Sequence, residues 1–140
     1  VVARYQRRIS GPLLDRIDIF VDVPRVAYEK LAAAAKGEPS AVVAERVQRA
    51  REIQRRRFAN EPGTHVNADM TPPQVRDYAQ AMLADDAHDI LRMAVQQLNL
   101  SARAFHRVLK VARTLADLAG SEPIEAAHVA EAIQYRERVE

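Results

Sequence analysis

Apolar and polar positions alternate with a helical period over most of the chain. From position 40 onward, apolar residues recur at spacings of three and four, which predicts a long helix from Ser40, as its N-cap, to about Ala59. The same spacing predicts four more helices, over residues 26–35, 83–98, 101–119 and 125–137. Most of the chain is therefore expected to form helices.

Residues with known preferences for helix ends mark several of these boundaries. Ser101 is the predicted N-cap of one helix, and Gly120 is predicted to close it. Thr71 is predicted to cap a short helix that Pro72 opens, since proline is tolerated in the first turn. Residues 60–68 contain two Asn, a Pro and a Gly and are predicted to form a loop.

The N-terminal part of the chain has a different pattern. Residues 17–23 are rich in β-branched side chains, and Pro24 follows them, which predicts a short strand with Asp18 and Asp22 on one face. One strand cannot make a sheet, so it is an orphan arm or the edge of a sheet that these residues do not supply. The predicted fold class is all-α, a helical bundle over residues 25–140 with an arm over residues 1–24.

Several classes of protein are excluded by what the chain lacks. It has no cysteine, which excludes disulfide scaffolds, cysteine-ligated metal sites and thiol nucleophiles. It has no G-x-x-x-x-G-K-[ST] motif, so it is not expected to hydrolyse a nucleotide by itself. No apolar run approaches the length of a transmembrane span, and the first residues lack a signal-peptide core. A cytoplasmic protein without a membrane partner is the expectation.

The basic residues are mostly arginine. The chain has 21 Lys+Arg against 19 Asp+Glu, a net charge of +2, which by itself does not indicate a nucleic-acid binder. The helix from Ser40 nevertheless carries a basic run, in which Arg55, Arg56 and Arg57 are candidate nucleic-acid contacts. The alternative is an ordinary solvated helix face, which is favoured because no aromatic residue interleaves the run.

Two further arginines stand where an anion would be bound. Arg103 lies in the first turn after Ser101, where free backbone N–H groups and the helix dipole favour anions and disfavour cations. Two interpretations of Arg103 are open: it binds a phosphate, or it faces solvent. Arg16 follows a tight turn, so it suits delivery of a guanidinium to a phosphate on another subunit, or it pairs with Asp15 or Asp18.

The helix that contains Arg103 is strongly amphipathic. One face is apolar, and four basic residues are expected broadly on the other face: Arg103, Arg107, Lys110 and Arg113. The four histidines show no i,i+4 pairing of the kind that binds zinc, so no metal site is predicted.

Three segments closely resemble the C-terminal part of magnesium-chelatase-like AAA+ ATPases, and most nearly the ComM/YifB family. They are RYQRRISGPLLDRIDI at 4–19, LSARAFHRVLKVART at 100–114 and HVAEAIQYR at 128–136. The resemblance implies that residues 1–24 are the end of an α/β nucleotide-binding core and that residues 25–140 are the helical lid. The phosphate-binding loop and Walker B carboxylates of that family lie upstream of the matching region.

The same resemblance implies roles for two arginines. Arg16, in the Leu-Leu-Asp-Arg turn, matches the arginine finger that contacts the γ-phosphate held by a neighbouring subunit. Arg103 matches the sensor-2 position, which reads the γ-phosphate of its own subunit. ATP and Mg²⁺ are then the implied cofactors of the whole protein.

The resemblance implies that the whole protein forms a homo-hexamer and moves branched DNA. In each subunit, the residues of this chain would contact the N-terminal core of the same protein. One alternative is the lid of a magnesium-chelatase subunit that serves porphyrin metallation. A second alternative is a free-standing helical module that binds DNA through its arginine-rich helix.

Overall fold

A computed structural model describes residues 16–26 and 37–136. These residues contain five α-helices: α1 Ser40–Arg57, α2 Pro72–Tyr78, α3 Asp85–Gln97, α4 Ala102–Ala119 and α5 Ala126–Gln134. Two 3₁₀ turns, Asn67–Asp69 and Gln80–Met82, lie on either side of α2. The all-α bundle is confirmed. The helix predicted over 26–35 lies outside the described residues apart from Val26, which is not helical, and the turn that precedes Arg16 lies outside them entirely.

Three predicted helix ends are confirmed by their local chemistry. The Ser101 hydroxyl accepts a hydrogen bond from the Ala104 N–H at 3.2 Å and so satisfies a free donor of α4. Gly120 closes α4 in the left-handed region at φ 72°, which glycine adopts without strain. At the start of α2, the Thr71 N–H donates to Gln74 Oε1 at 2.8 Å, one half of a capping box.

The first helix begins differently from the prediction. Pro39 is the N-cap of α1, with extended backbone at φ −63° and ψ 141°, and Ser40 is already the first helical residue. No side chain caps this end of the helix. Proline suits the position because its N–H is absent and its φ is fixed near the observed value. Ser40 is therefore corrected from N-cap to first helical position.

The predicted strand over residues 17–23 is not formed. Within the described stretch 16–26 the backbone has no strand, and Phe20 N–H donates one hydrogen bond to Tyr135 O at 2.7 Å. Ile19, Val21 and Val23 are exposed there. A strand is defined by its pairing, and no parallel or antiparallel neighbour is available to this stretch among the described residues.

The helix α4 is the centre of the bundle. It packs against α1, α2 and α5, and α5 in turn packs against α3. Leu109, Ala112 and Ala116 on its apolar face are fully buried. Val108 of the same helix also belongs to the core, and the rest comes from the other elements: Phe58, Met70, Val75, Ala79, Leu83, Ala87, Leu91, Ile124, Val129 and Ala132. Small alanines at the contacts let the helix backbones approach closely.

A short parallel bridge joins the segments that lead into α3 and α5. Leu83 pairs with Ile124, Ile124 N–H donates to Met82 O at 2.7 Å, and Ala84 N–H donates to Ile124 O at 3.0 Å. Ile124 is fully buried. Two helices that are distant in sequence are thus held side by side at their N-terminal ends.

A buried ion triad fixes the end of α1 to α4. Asp117 of α4 accepts from both terminal nitrogens of Arg57, one of them at 2.8 Å, and from Arg113 Nε at 3.1 Å. The Asp117 side chain has no solvent exposure, and those of Arg57 and Arg113 are 14% and 3% exposed. Arg113 is therefore not on the polar face of α4 as predicted, and Arg57 is not part of a solvated basic run.

The remaining polar atoms around this triad are also satisfied. Arg113 donates to the backbone oxygens of Glu122 at 2.6 Å and Ser121 at 2.7 Å. Asn67 donates to Asp117 Oδ2 at 2.8 Å and accepts from Arg57 Nη1 at 2.9 Å. Burial lowers the pKa of Arg113, while the charge of Asp117 acts to raise it.

We expect the replacement Asp117→Ala to reduce the free energy of unfolding by about 3–5 kcal/mol, because two guanidinium groups lose a buried counter-ion. The matched control is Asp89→Ala, which removes the exposed i,i+3 pair with Arg92 and should cost at most about 1 kcal/mol. Urea unfolding followed by circular dichroism measures both. Equal losses in the two variants would show that the triad contributes no more than a surface pair.

Candidate phosphate-binding site

A shallow depression of about 350 Å³ lies beside the first half of α4. Four cationic side chains line it, from Arg16, Arg103, Arg107 and Lys110, and no carboxylate is among its lining residues. Met70, Pro72 and Val75 supply an apolar side. A group of cations on a partly apolar wall attracts an anion more strongly than the same charges would in open water.

Helix geometry explains why three of the cations converge. Arg103, Arg107 and Lys110 are spaced by four and three residues, so they share one face of α4. The helix starts at Ala102, directly before Arg103, and the positive end of its dipole adds to the charge there. The N-terminal half of α4 therefore presents a cationic surface.

The cations differ in what they already contact. Arg107 Nε donates to Asp18 Oδ1 at 2.6 Å, and Lys110 Nζ donates to Ala68 O at 2.7 Å. Within the described ranges, neither Arg16 nor Arg103 has a carboxylate partner. These two guanidinium groups are therefore the ones with donors to offer a phosphate, which arginine can bind through two parallel hydrogen bonds.

The structure thus brings together Arg16 and Arg103, which the sequence singled out separately. It also adds Arg107 and Lys110 to the site, together with His106. Arg107 and Lys110 follow Arg103 at i+4 and i+7, and this spacing in the sequence indicates that the three share one helix face. The contact of Asp18 with Arg107 had no such signal, because it joins segments that are far apart in the chain.

The other predicted arginines lie outside this depression. Arg55 and Arg56 have side chains that are 59% and 78% exposed, and both lie 3.4 Å from the carboxylate of Glu52. Arg55 also lines a second cleft of about 600 Å³ beside the loop 60–66. Arg57 forms a mostly buried ion pair with Asp117, so it is not available as a nucleic-acid contact.

One acidic side chain of that second cleft is already engaged. Glu61 accepts hydrogen bonds from the Tyr78 hydroxyl at 2.5 Å and from Gln74 Nε2 at 2.8 Å. These bonds lower the pKa of Glu61, and the same contact raises the pKa of Tyr78. The carboxylate therefore holds the loop against α2, which leaves Arg51 and Arg55 as the cations at the cleft.

No helix among residues 16–26 and 37–136 has the length and hydropathy to cross a membrane. The same residues contain no group of three or more His, Asp or Glu side chains arranged to hold a metal ion.

Comparison with known proteins gives the context of this site. The family described as "Magnesium chelatase, subunit ChlI C-terminal" matches residues 37–136, and "Magnesium chelatase, subunit ChlI" matches residues 1–31. The chain is 40% identical to competence protein ComM of Haemophilus influenzae over 139 residues, which cover 99% of this chain and 26% of that protein. It is 39% identical to the uncharacterized protein YifB of Escherichia coli over 134 residues, or 95% and 25% of the two chains.

The chain therefore spans about a quarter of the length of the curated relatives that it matches. The C-terminal family match covers the whole helical bundle, including α4 and its cationic face. The second family match covers the residues that contain Arg16. The chain belongs to the magnesium chelatase ChlI C-terminal family, as a ComM-like member.

Proposed function

We propose that this chain is the arginine-finger and lid region of an AAA+ ATPase that acts with its own N-terminal core in a homo-hexamer. The proposed arm is residues 1–24 and the proposed lid is residues 25–140. The observation that carries the proposal is the convergence of Arg16 and Arg103 on one cationic depression without a carboxylate in its lining. The family membership makes a nucleotide phosphate the natural anion for it.

The residues of the depression fit the triphosphate of ATP. Arg16 and Arg103 would donate to oxygens of the terminal phosphate and stabilise the charge that develops there during hydrolysis. Mg²⁺, when bound, neutralises phosphate charge. The proposed ligands of Mg²⁺ are the phosphates and the core, since the described residues offer no ligand cluster. We propose that the chain by itself does not hydrolyse ATP. We also propose that the whole protein is cytoplasmic.

The geometry favours one change to the roles implied by the family resemblance. Arg16 and Arg103 of a single chain line the same depression, which favours one shared phosphate group as their ligand. An arginine finger for the neighbour and a sensor for the same subunit would instead address two nucleotides. We infer that the two arginines act together on one nucleotide, the one held by the neighbouring subunit.

The proposed substrate is branched DNA, moved as ATP is hydrolysed. Support comes from the similarity to a competence protein and from the exposed Arg55 and Arg56. The name of the matched family favours a second candidate, the lid of a chelatase ATPase subunit that serves porphyrin metallation. DNA-stimulated ATP hydrolysis distinguishes the first from the second, which predicts stimulation by chelatase partner subunits.

We expect Arg16→Ala and Arg103→Ala each to lower kcat for ATP by about a hundredfold or more in the full-length protein, because each removes charge stabilisation from the γ-phosphate. Steady-state turnover is measured with and without branched DNA. The matched control, Arg92→Ala, removes an exposed arginine on α3 and should leave turnover unchanged. Normal turnover in either depression variant would remove that residue from the proposed machinery.

Mixing subunits tests whether the two arginines serve one nucleotide. If they do, a mixture of Arg16→Ala and Arg103→Ala subunits contains no subunit with both groups, and turnover stays at the level of the single variants. If they serve two nucleotides, about a quarter of the interfaces in a randomly mixed ring regain both groups. Recovery of roughly that fraction of wild-type turnover would therefore contradict the shared-nucleotide proposal.

DNA contact by α1 has its own test. We expect the double change Arg55→Gln and Arg56→Gln to weaken DNA binding by the full-length protein and to reduce the slope of log Kd against log salt by about 2. Fluorescence anisotropy at several salt concentrations measures this, with Arg92→Gln as the matched control. Tight, salt-dependent binding by the 140-residue chain alone would instead favour a free-standing DNA-binding module.

A further inference from the structure

One ion pair connects the segment that contains Arg16 to the bundle. Arg107 Nε donates to Asp18 Oδ1 at 2.6 Å, in a hydrogen bond between opposite charges. The Arg107 side chain is 20% exposed and that of Asp18 is 58% exposed. The pair therefore lies at the surface of α4, where it competes with water but keeps a good hydrogen-bond length.

The position of this pair restricts where Arg16 can go. Two residues of chain span at most about 7 Å, so an anchor at Asp18 keeps the Arg16 backbone within that distance of the anchor. Arg103 precedes Arg107 by four residues, a rise of about 6 Å along the helix. The reach from Asp18 to Arg16 therefore nearly equals the rise along α4 from Arg107 to Arg103. Both Arg16 and Arg103 line the depression beside this ion pair.

A second contact holds the same segment from the other side of the anchor. The Phe20 N–H donates to Tyr135 O at 2.7 Å, at the C-terminal end of α5. Phe20 is half-buried, in contrast to the exposed Ile19 and Val21 on either side. The segment is thus attached at Asp18 and at Phe20, and Arg16 extends beyond the first of these points.

We propose that Asp18 is a positioning residue, which through its ion pair with Arg107 holds Arg16 beside Arg103 so that both meet one phosphate group. The proposal rests on the proposed function, because it takes the depression as a nucleotide-phosphate site. Asp18 itself does not contact the phosphate. Its carboxylate would repel an anion, so its presence beside a phosphate site is useful only if it orders a cation that contributes more.

The two possible roles of Asp18 predict opposite effects on anion binding, which makes the proposal testable. A carboxylate that is merely nearby weakens anion binding, and replacing it with an amide strengthens binding by a modest factor. A carboxylate that positions Arg16 has the opposite effect, because its loss lets Arg16 leave the site. The sign of the change in affinity for Asp18→Asn therefore separates the two roles.

The experiment measures binding of inorganic tripolyphosphate to the 140-residue chain by isothermal titration calorimetry at low salt. We expect Arg16→Ala to weaken binding about fivefold in the wild-type background and less than about 1.5-fold in the Asp18→Asn background. Asp18→Asn alone should weaken binding about threefold. Asp18→Glu keeps the carboxylate and should restore most of the effect of Arg16.

The matched control is Asp22→Asn, which makes the same charge change on the same segment. Asp22 is exposed, and no ion pair joins it to the described part of the chain. Its replacement should leave the effect of Arg16→Ala unchanged at about fivefold and should not weaken binding. Thermal unfolding of all variants checks that the bundle is intact, and unchanged midpoints are expected because Asp18 lies outside the core.

Two results would overturn the proposal. One is an effect of Arg16→Ala that is equally large with and without the Asp18 carboxylate, and the other is tighter binding in Asp18→Asn. Failure of the proposed function has a different signature, since Arg103→Ala would then leave tripolyphosphate binding unchanged. If Arg103→Ala weakens binding and Arg16→Ala does not, the phosphate site stands and the positioning role of Asp18 is rejected.

Discussion

The structure depends on one buried carboxylate, that of Asp117. It forms ion pairs with Arg57 from the end of α1 and with Arg113 from its own helix, and it also accepts from Asn67 in the loop between α1 and α2. Arg113 in turn binds the backbone oxygens that follow α4. The burial of three charges is unfavourable unless each is paired and hydrogen-bonded, as these are, so four separate segments must meet in one arrangement.

The two ends of α4 differ in whether their arginines are paired with a carboxylate. Near its C-terminal end, Arg113 is buried and fully matched by Asp117 and by backbone oxygens. Near its N-terminal end, Arg103 has no carboxylate within the described residues, and the dipole adds positive potential. One end therefore fixes the helix in the bundle, and the other presents charge that a phosphate can neutralise. The rigidity of the first end is what gives the second a defined position.

The segment 16–26 makes few contacts with the core, but it is bound to the N-terminal half of α4 through Asp18 and Arg107. Its apolar side chains Ile19, Val21 and Val23 are exposed, so little burial holds it in place. Its attachments are polar, through Asp18 and through the Phe20 N–H. Such contacts are weaker than core packing and depend on salt, as is needed if the segment responds to a phosphate and to a neighbouring subunit in the way proposed above.

The sequence by itself determined the helical fold, because periodicity and end preferences are local. The limits of α3 and α4 follow from apolar spacing to within two residues, whereas α5 ends at Gln134, before the predicted limit at residue 137. Thr71, Ser101 and Gly120 act at the ends where their residue types predict. The family resemblance likewise rests on contiguous strings of residues. Arg16 and Arg103 could be singled out for phosphate chemistry from their immediate neighbours alone.

Only the tertiary structure decided which charges are free and which are neutralised. Arg55, Arg56 and Arg57 are adjacent in sequence, yet only Arg57 faces the interior, where Asp117 lies within reach. Arg113 has the same residue type as Arg103 and lies on the same helix, but it is buried and binds Asp117 one turn further along and the backbone oxygens of the turn after α4. The partners of Arg57 lie 10 and 60 residues away along the chain, and a one-dimensional pattern cannot specify which of such distant groups lie close together.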